Sequence, residues 1–232
     1  MKKAESENMP YRRRQVLCDQ KWRGFLRKGA LFRHIPFIEF VFGSGSLALG
    51  NVHKNSDYDV LIGVKQGRIF TARFFSILLF GALGWRRKRL SHQESASNKI
   101  CLNHFVTEKS FALQPPYDDS WRLLYRHLVP LLGIPARLES FLKANESWVG
   151  AAPEYRSDLR HRFKLKSVLA NFAERCLGGQ LGNGLESILK NIQVRRIEKS
   201  LRSGEVGGPS RIQYTDQELE FHPDARARYQ PH

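Results

Sequence analysis

Three short apolar segments, with one helical segment among them, constrain the fold of this chain more than any other feature. The segments IPFIEFVFGSGS (35–46), DYDVLIGV (57–64) and NKICLNHFVT (98–107) are rich in β-branched and aromatic residues, which favour strands. A helix is predicted over about 68–83, between the second and third segments. This order of strands and helices predicts an α/β (α+β) fold with a mixed sheet and flanking helices.

The chain divides into four predicted parts. A basic helix in 1–34 precedes the strand-rich core at 35–110, on which we expect it to pack. After 108–118 the apolar residues follow helical spacing, so a helical C-terminal region is predicted over 118–204, including 120–132 as one helix. The last part, 205–232, is rich in glycine and charged residues and is predicted to be a loose tail.

The chain is strongly basic. Its 38 Lys and Arg residues against 22 Asp and Glu residues give a formal net charge of +16, which predicts attraction to polyanions such as nucleic acid or nucleotides. The charge is concentrated in 1–34 and in the segment WRRKRL at 85–90. A solvated surface is the alternative explanation for both clusters, and the charge does not identify a partner.

Cysteine content and hydropathy indicate in which cellular compartment the chain folds and whether it spans a membrane. Three scattered cysteines are too few for a disulfide framework or a zinc site, and they are consistent with a reducing, cytoplasmic location. Residues 1–10 lack the apolar stretch of a signal peptide. The most apolar segment, 69–85, is interrupted by Arg73 and predicts a buried helix, because the uncharged part is too short to span a bilayer.

The segment GSLALGNVHKNSDYDV combines a glycine turn with two nearby carboxylates. Asp57 and Asp59 alternate with Tyr58, so in a strand both carboxylates point to the same face. The two carboxylates of such a pair repel each other unless a cation lies between them. Mg²⁺ is commonly bound by one or two carboxylates together with the phosphates of a substrate. Gly45 permits close approach of the backbone to a ligand, and Ser46 offers a hydroxyl and an amide to a phosphate. The alternative is an ordinary turn before an exposed strand end.

This segment resembles the signature of the polymerase β-like nucleotidyltransferase superfamily: a hydrophobic strand, Gly-Ser, a loop, and then Asp-hydrophobic-Asp. The resemblance covers 35–107 and implies a minimal nucleotidyltransferase core with a helical C-terminal extension. It implies that Asp57 and Asp59 are the catalytic residues and hold Mg²⁺ or Mn²⁺. It also implies that Gly45, Ser46 and Ser56 bind the phosphates of a nucleotide such as ATP.

The reaction implied by this resemblance is metal-assisted transfer of a nucleoside monophosphate from an NTP to an acceptor, with release of pyrophosphate. The acceptor could be RNA, a protein side chain or a small molecule. The positive charge of the chain favours RNA or another anionic acceptor.

One position departs from the superfamily pattern, which usually has a third carboxylate on a later strand. The matching position here is Asn103, which can ligate or hydrogen-bond but cannot act as a base. His104 is predicted to face opposite to Asn103 in a regular strand, Glu94 lies in the preceding loop, and His222 has no partner at metal-ligand spacing. Two alternatives therefore remain: a degenerate domain that binds a nucleotide or a partner without turnover, and a basic nucleic-acid-binding module.

Overall fold

The computed structural model describes residues 10–87, 96–114, 118–150, 160–161, 166–203 and 210–223. Glu94 and the end of the basic segment 85–90 lie outside these residues. The strands are β1 (Ile38–Ser44), β2 (Tyr58–Val64), β3 (Ile100–Val106), β4 (Val129–Gly133), β5 (Ser210–Tyr214) and β6 (Glu218–Pro223). The helices are α1 (Tyr11–Gly29), α2 (Gly45–Ala48), α3 (Ile69–Ala82), α4 (Asp119–Arg126), α5 (Pro135–Ala144), α6 (Glu146–Val149), α7 (Val168–Cys176) and α8 (Gln180–Arg202).

The six strands form one mixed sheet in the order β4–β1–β2–β3–β6–β5. β2 and β3 are parallel, while the other neighbouring strands are antiparallel. A parallel pair needs a crossover connection, and α3 lies within the connection between β2 and β3. The predicted mixed α/β architecture is confirmed at this level.

Helices cover both faces of the sheet. On one face, α1, α3 and α8 contribute Phe25, Phe70 and Leu189 to a buried cluster that includes Ile62 of β2. On the other face, α4 and α5 pack against β1 and β2 in a cluster that includes Leu61. Because neighbouring strand residues point to opposite faces, Asp59 shares the face of Leu61, while Tyr58 points into the first cluster.

Part of the region predicted as helical is a strand. The segment 120–132 was predicted as one helix, but α4 ends at Arg126 and β4 begins at Val129, antiparallel to β1. All five residues of β4 are buried, so pairing with β1 outweighs the local helical spacing. Pro130 is compatible with this strand because β4 lies at the edge of the sheet.

The prediction of a loose tail over 205–232 is wrong for 210–223. These residues form the β5–β6 hairpin, and β6 pairs with β3. Leu219 is fully buried and Phe221 is 9% exposed, both in the first core cluster. The strand was missed because Glu218, Glu220 and His222 alternate with these apolar residues and make the segment resemble a polar tail.

Replacing Leu219 with alanine tests whether the hairpin belongs to the core. We expect a loss of about 2–5 kcal/mol in the free energy of unfolding, as for other buried leucines, measured by urea denaturation. Leu181→Ala is the matched control, because Leu181 is 83% exposed and its truncation should change stability by less than about 0.5 kcal/mol. Equal losses in the two variants would show that β6 does not pack as described.

Candidate functional site

The glycine turn after β1 lies directly against Asp59. Gly45 has a φ of +71°, a conformation that only glycine adopts without strain. A Cβ on Gly45 would lie less than 3.0 Å from Asp59 Oδ2 and 2.8 Å from Asp59 Cγ. No other residue therefore fits here without displacing the carboxylate, and the backbone that leads into Ser46 is held next to Asp59.

Asp57 and Asp59 converge next to this turn. Asp57 directly precedes β2 and Asp59 lies within it, on either side of the buried Tyr58. Three atoms lie within 4.8 Å of one another: a carboxylate oxygen of Asp57, a carboxylate oxygen of Asp59 and the sulfur of Cys101. The oxygen ligands fit a hard divalent cation such as Mg²⁺. Burial, and then the charges of Asp59 and Asp57, raise the pKa of the Cys101 thiol well above its usual value, so the thiol is neutral at neutral pH.

Arg87 is a charged neighbour of the pair that the sequence analysis did not single out. Its guanidinium forms an ion pair of 2.6 Å with Asp57 Oδ2, and both side chains are 16% exposed. A backbone bond from Arg87 N to Ile100 O ties it to the start of β3. The only signal in the sequence was its membership of the basic segment 85–90, which did not distinguish this arginine from its neighbours.

The loop between Gly45 and Asp57 is held by α1. Lys21 is 4% exposed, and its ammonium donates hydrogen bonds to Ser56 O at 2.7 Å and Lys54 O at 2.8 Å. Burial lowers the pKa of Lys21 to about 8. Ser56 was predicted to bind phosphate, but it is 3% exposed and its hydroxyl accepts a hydrogen bond from His53 N. Ser56 therefore stabilises the loop, whereas Ser46 is only half-buried.

Asn103, the candidate third position, lies against Asp59. Its Nδ2 donates to Asp59 Oδ1 over 3.3 Å and lies 3.3 Å from His222 Nδ1. The side chain thus connects the aspartate pair on β2 to β6. An amide in this place can orient Asp59 and cannot accept a proton from a substrate.

His104 lies on the same face as Asn103, which corrects the prediction of opposite faces. Asp59 pairs with Cys101 and Leu61 pairs with His104. An advance of two residues along β2 therefore corresponds to an advance of three residues along β3. This irregularity is a β-bulge, which interrupts strict alternation. As a result the His104 and His222 rings lie 5.7 Å apart, next to Asn103.

β6 adds Glu218 and Glu220, which sequence reasoning missed, and His222, which was predicted to lack a partner at metal-ligand spacing. His104 Nε2 lies 2.9 Å from Glu218 Oε1, and its Nδ1 lies 2.8 Å from the Tyr125 hydroxyl. Ligand atoms of His104, Glu220 and His222 lie within 4.8 Å of one another. His222 therefore has neighbours at metal-ligand spacing, contrary to the sequence analysis. The available signal was the alternation of polar and apolar residues in ELEFH, which is typical of a strand. It indicates a site only once β6 is known to pair with β3.

The basic helix α1 presents two kinds of cation. Lys21 and Lys28 point inward, and Lys28 lies 5.3 Å from the centre of the Trp85 ring while it donates to Asn98 O. The arginines on the other side of the helix are exposed: Arg12, Arg13, Arg23 and Arg27. Part of the positive charge is therefore structural, and part is available to an anionic partner.

Comparison of the chain with known protein families, curated proteins and solved structures finds no match. Among the described residues, no helix is both long and apolar enough to cross a bilayer.

Proposed function

We propose that this chain is a metal-dependent nucleotidyltransferase, which moves a nucleoside monophosphate from an NTP to an acceptor and releases pyrophosphate. The observation that carries the proposal is the convergence of Asp57 and Asp59 beside the Gly45 turn. A cation site and a backbone turn suited to phosphate thus lie side by side. Neither feature alone requires the other, whereas an NTP bound with Mg²⁺ uses both.

Each residue of the site has a proposed task. Asp57 and Asp59 hold Mg²⁺ or Mn²⁺, which neutralises charge on the triphosphate when bound. Gly45 lets the backbone approach the phosphates, and Ser46 donates a hydrogen bond to them. Arg87 adds a positive charge beside Asp57 that attracts the triphosphate. In the reaction, the acceptor attacks the α-phosphorus in line and the bond to pyrophosphate breaks.

Asn103 limits how the acceptor is activated. Since an amide cannot take the proton of an acceptor hydroxyl, Asn103 acts by orienting Asp59 through the 3.3 Å contact. Rate enhancement then comes from positioning and electrostatic stabilisation, on which this class of reaction mainly depends. The same observation favours a second candidate function, a degenerate domain that binds nucleotide with metal and does not turn it over.

The exposed face of α1 supports an anionic acceptor such as RNA. Four arginines on this helix are exposed, and a surface of this kind binds nucleic acid with a steep salt dependence. A purely nucleic-acid-binding module would show the same salt dependence, but its binding would be indifferent to Asp57 and Asp59.

The test is transfer of label from an α-phosphate-labelled NTP. Each of the four NTPs is incubated with the protein and Mg²⁺ or Mn²⁺, with and without cell extract, beside an Asp57→Ala/Asp59→Ala control. We expect label on RNA, on protein or on a small molecule only when both aspartates are intact. Metal-dependent NTP binding without transfer would favour the degenerate domain, and the absence of both would refute a nucleotide site here.

A further inference from the structure

A second group of potential metal ligands lies on the same face of the sheet, on β3 and β6. Its members are His104, Glu220 and His222, whose ligand atoms lie within 4.8 Å of one another. His104 and Glu220 are direct partners in the antiparallel pairing of β3 with β6. Two imidazoles and one carboxylate are a ligand set that zinc-class ions adopt with a further position open.

The residues of this group are shielded from solvent. Glu218 is 4% exposed, Glu220 is fully buried, and His104, which contacts Glu218, is 2% exposed. Charged groups buried in proteins are paired or coordinate metals, so this environment is compatible with a bound divalent ion.

Glu218 lies in the position of a carboxylate that orients a metal-bound histidine. The 2.9 Å contact between His104 Nε2 and Glu218 Oε1 allows the ring N–H to donate to the carboxylate. A carboxylate in this position fixes the tautomer of a ligating histidine and increases its basicity. The other nitrogen, Nδ1, would then be the one left to bind a metal. It lies 2.8 Å from the Tyr125 hydroxyl, which would have to release it.

We propose that His104, Glu220 and His222 form a binding site for a zinc-class divalent ion, separate from the Asp57/Asp59 pair. The two sites are neighbours, since Asn103 Nδ2 lies 3.3 Å from both Asp59 Oδ1 and His222 Nδ1. The imidazoles select a transition metal in the β3–β6 site, whereas the aspartate oxygens suit Mg²⁺. The proposal does not depend on nucleotidyl transfer, because it concerns only metal binding.

Cobalt titration tests this site without any nucleotide chemistry. The full chain carrying Asp57→Ala/Asp59→Ala is stripped with a chelator and titrated with Co²⁺, whose visible absorption reports a site with nitrogen ligands, and Zn²⁺ is then added as competitor. We expect one Co²⁺ per chain, displaced by Zn²⁺. Glu220→Gln and His222→Gln should each weaken binding more than about 10-fold, and Glu218→Gln by about 10-fold or more. His127→Gln, at an exposed histidine directly after α4, should have no effect.

Tyr125→Phe separates a metal site from a purely structural hydrogen-bond network. Removal of the hydroxyl that competes for His104 Nδ1 should leave Co²⁺ affinity unchanged or increase it. Zn²⁺ should also raise the Tm of the Asp57→Ala/Asp59→Ala chain, a readout that remains if a further variant fails to fold. The proposal is overturned if the Asp57→Ala/Asp59→Ala chain binds no Co²⁺ or Zn²⁺, if adding Glu220→Gln or His222→Gln to it leaves binding unchanged, or if adding Tyr125→Phe abolishes binding in a folded protein.

Discussion

Asp59→Asn is expected to reduce nucleotidyl transfer by at least about 1,000-fold. The substitution removes one of the two carboxylates that we propose hold the cation. The expected loss of charge stabilisation in the transition state is several kcal/mol, and each 1.4 kcal/mol corresponds to a tenfold change in rate. The new side chain has nearly the same shape, so the Gly45 turn and the Asn103 contact have no steric reason to change. The measurement is the initial rate of label transfer at saturating NTP and Mg²⁺.

The same substitution is expected to have little effect on stability when no divalent metal is present. Asp57 repels Asp59, but the Arg87 guanidinium attracts it, so Asp59→Asn should change the free energy of unfolding by less than about 1 kcal/mol. Addition of Mg²⁺ should raise the Tm of the unsubstituted chain, because a ligand that binds only the folded state stabilises it. It should leave the Tm of Asp59→Asn unchanged.

Asp119→Asn is the control for loss of one negative charge. The Asp119 side chain is 98% exposed at the start of α4, so its replacement should alter neither transfer nor the response to Mg²⁺. Transfer by Asp59→Asn at the rate of this control would show that Asp59 is not a metal ligand. Lower transfer with an unchanged Mg²⁺ response would assign Asp59 another task in the reaction.

The parts of the site that could be predicted from the sequence are local in the chain. Asp57 and Asp59 are two residues apart, so strand geometry alone brings their side chains to one face. The turn at Gly45 is similarly local, because glycine follows directly after a run of strand-forming residues. The β1, β2, α3 and β3 elements were predicted for the same reason, since each is specified by its own residues.

The remaining features depend on contacts between distant parts of the chain. Glu220 and His222 reach the site only because β6 pairs with β3, more than 100 residues earlier. The shared face of Asn103 and His104 depends on a bulge in the pairing of β3 with β2, and a sequence pattern does not reveal pairing register. The inward role of Lys21 depends likewise on where α1 packs, although composition predicted a basic helix.

Gly45→Ala is expected to destabilise the fold by about 2–5 kcal/mol and to abolish transfer. Alanine at a φ of +71° is strained by about 1–2 kcal/mol. Its Cβ would also overlap Asp59 Oδ2 and lie 2.8 Å from Asp59 Cγ, which adds about 1–3 kcal/mol as in other overpacked sites. Relief of the overlap moves the Asp59 carboxylate, so transfer should be lost even at temperatures where the variant remains folded.

Gly50→Ala separates the energetic cost of backbone strain from the cost of steric overlap with Asp59. Gly50 has a φ of +69°, and no atom lies within 4 Å of a Cβ placed on it. This variant should therefore lose only the strain energy of about 1–2 kcal/mol and keep its transfer activity. Urea denaturation of the two variants gives the cost of the overlap as the difference between them.

The double variant Gly45→Ala/Asp59→Ala tests whether Asp59 is the residue that excludes a side chain at position 45. Removal of the carboxylate eliminates the contacts with Oδ2 and Cγ and leaves the Asp59 Cβ at 3.0 Å. The double variant should therefore recover part of the stability lost in Gly45→Ala, and the coupling energy should be at least about 0.5 kcal/mol, as for residues in contact. Additive losses would mean that the turn and the aspartate do not touch, and the proposed cation site would then not lie beside the turn proposed to bind phosphate.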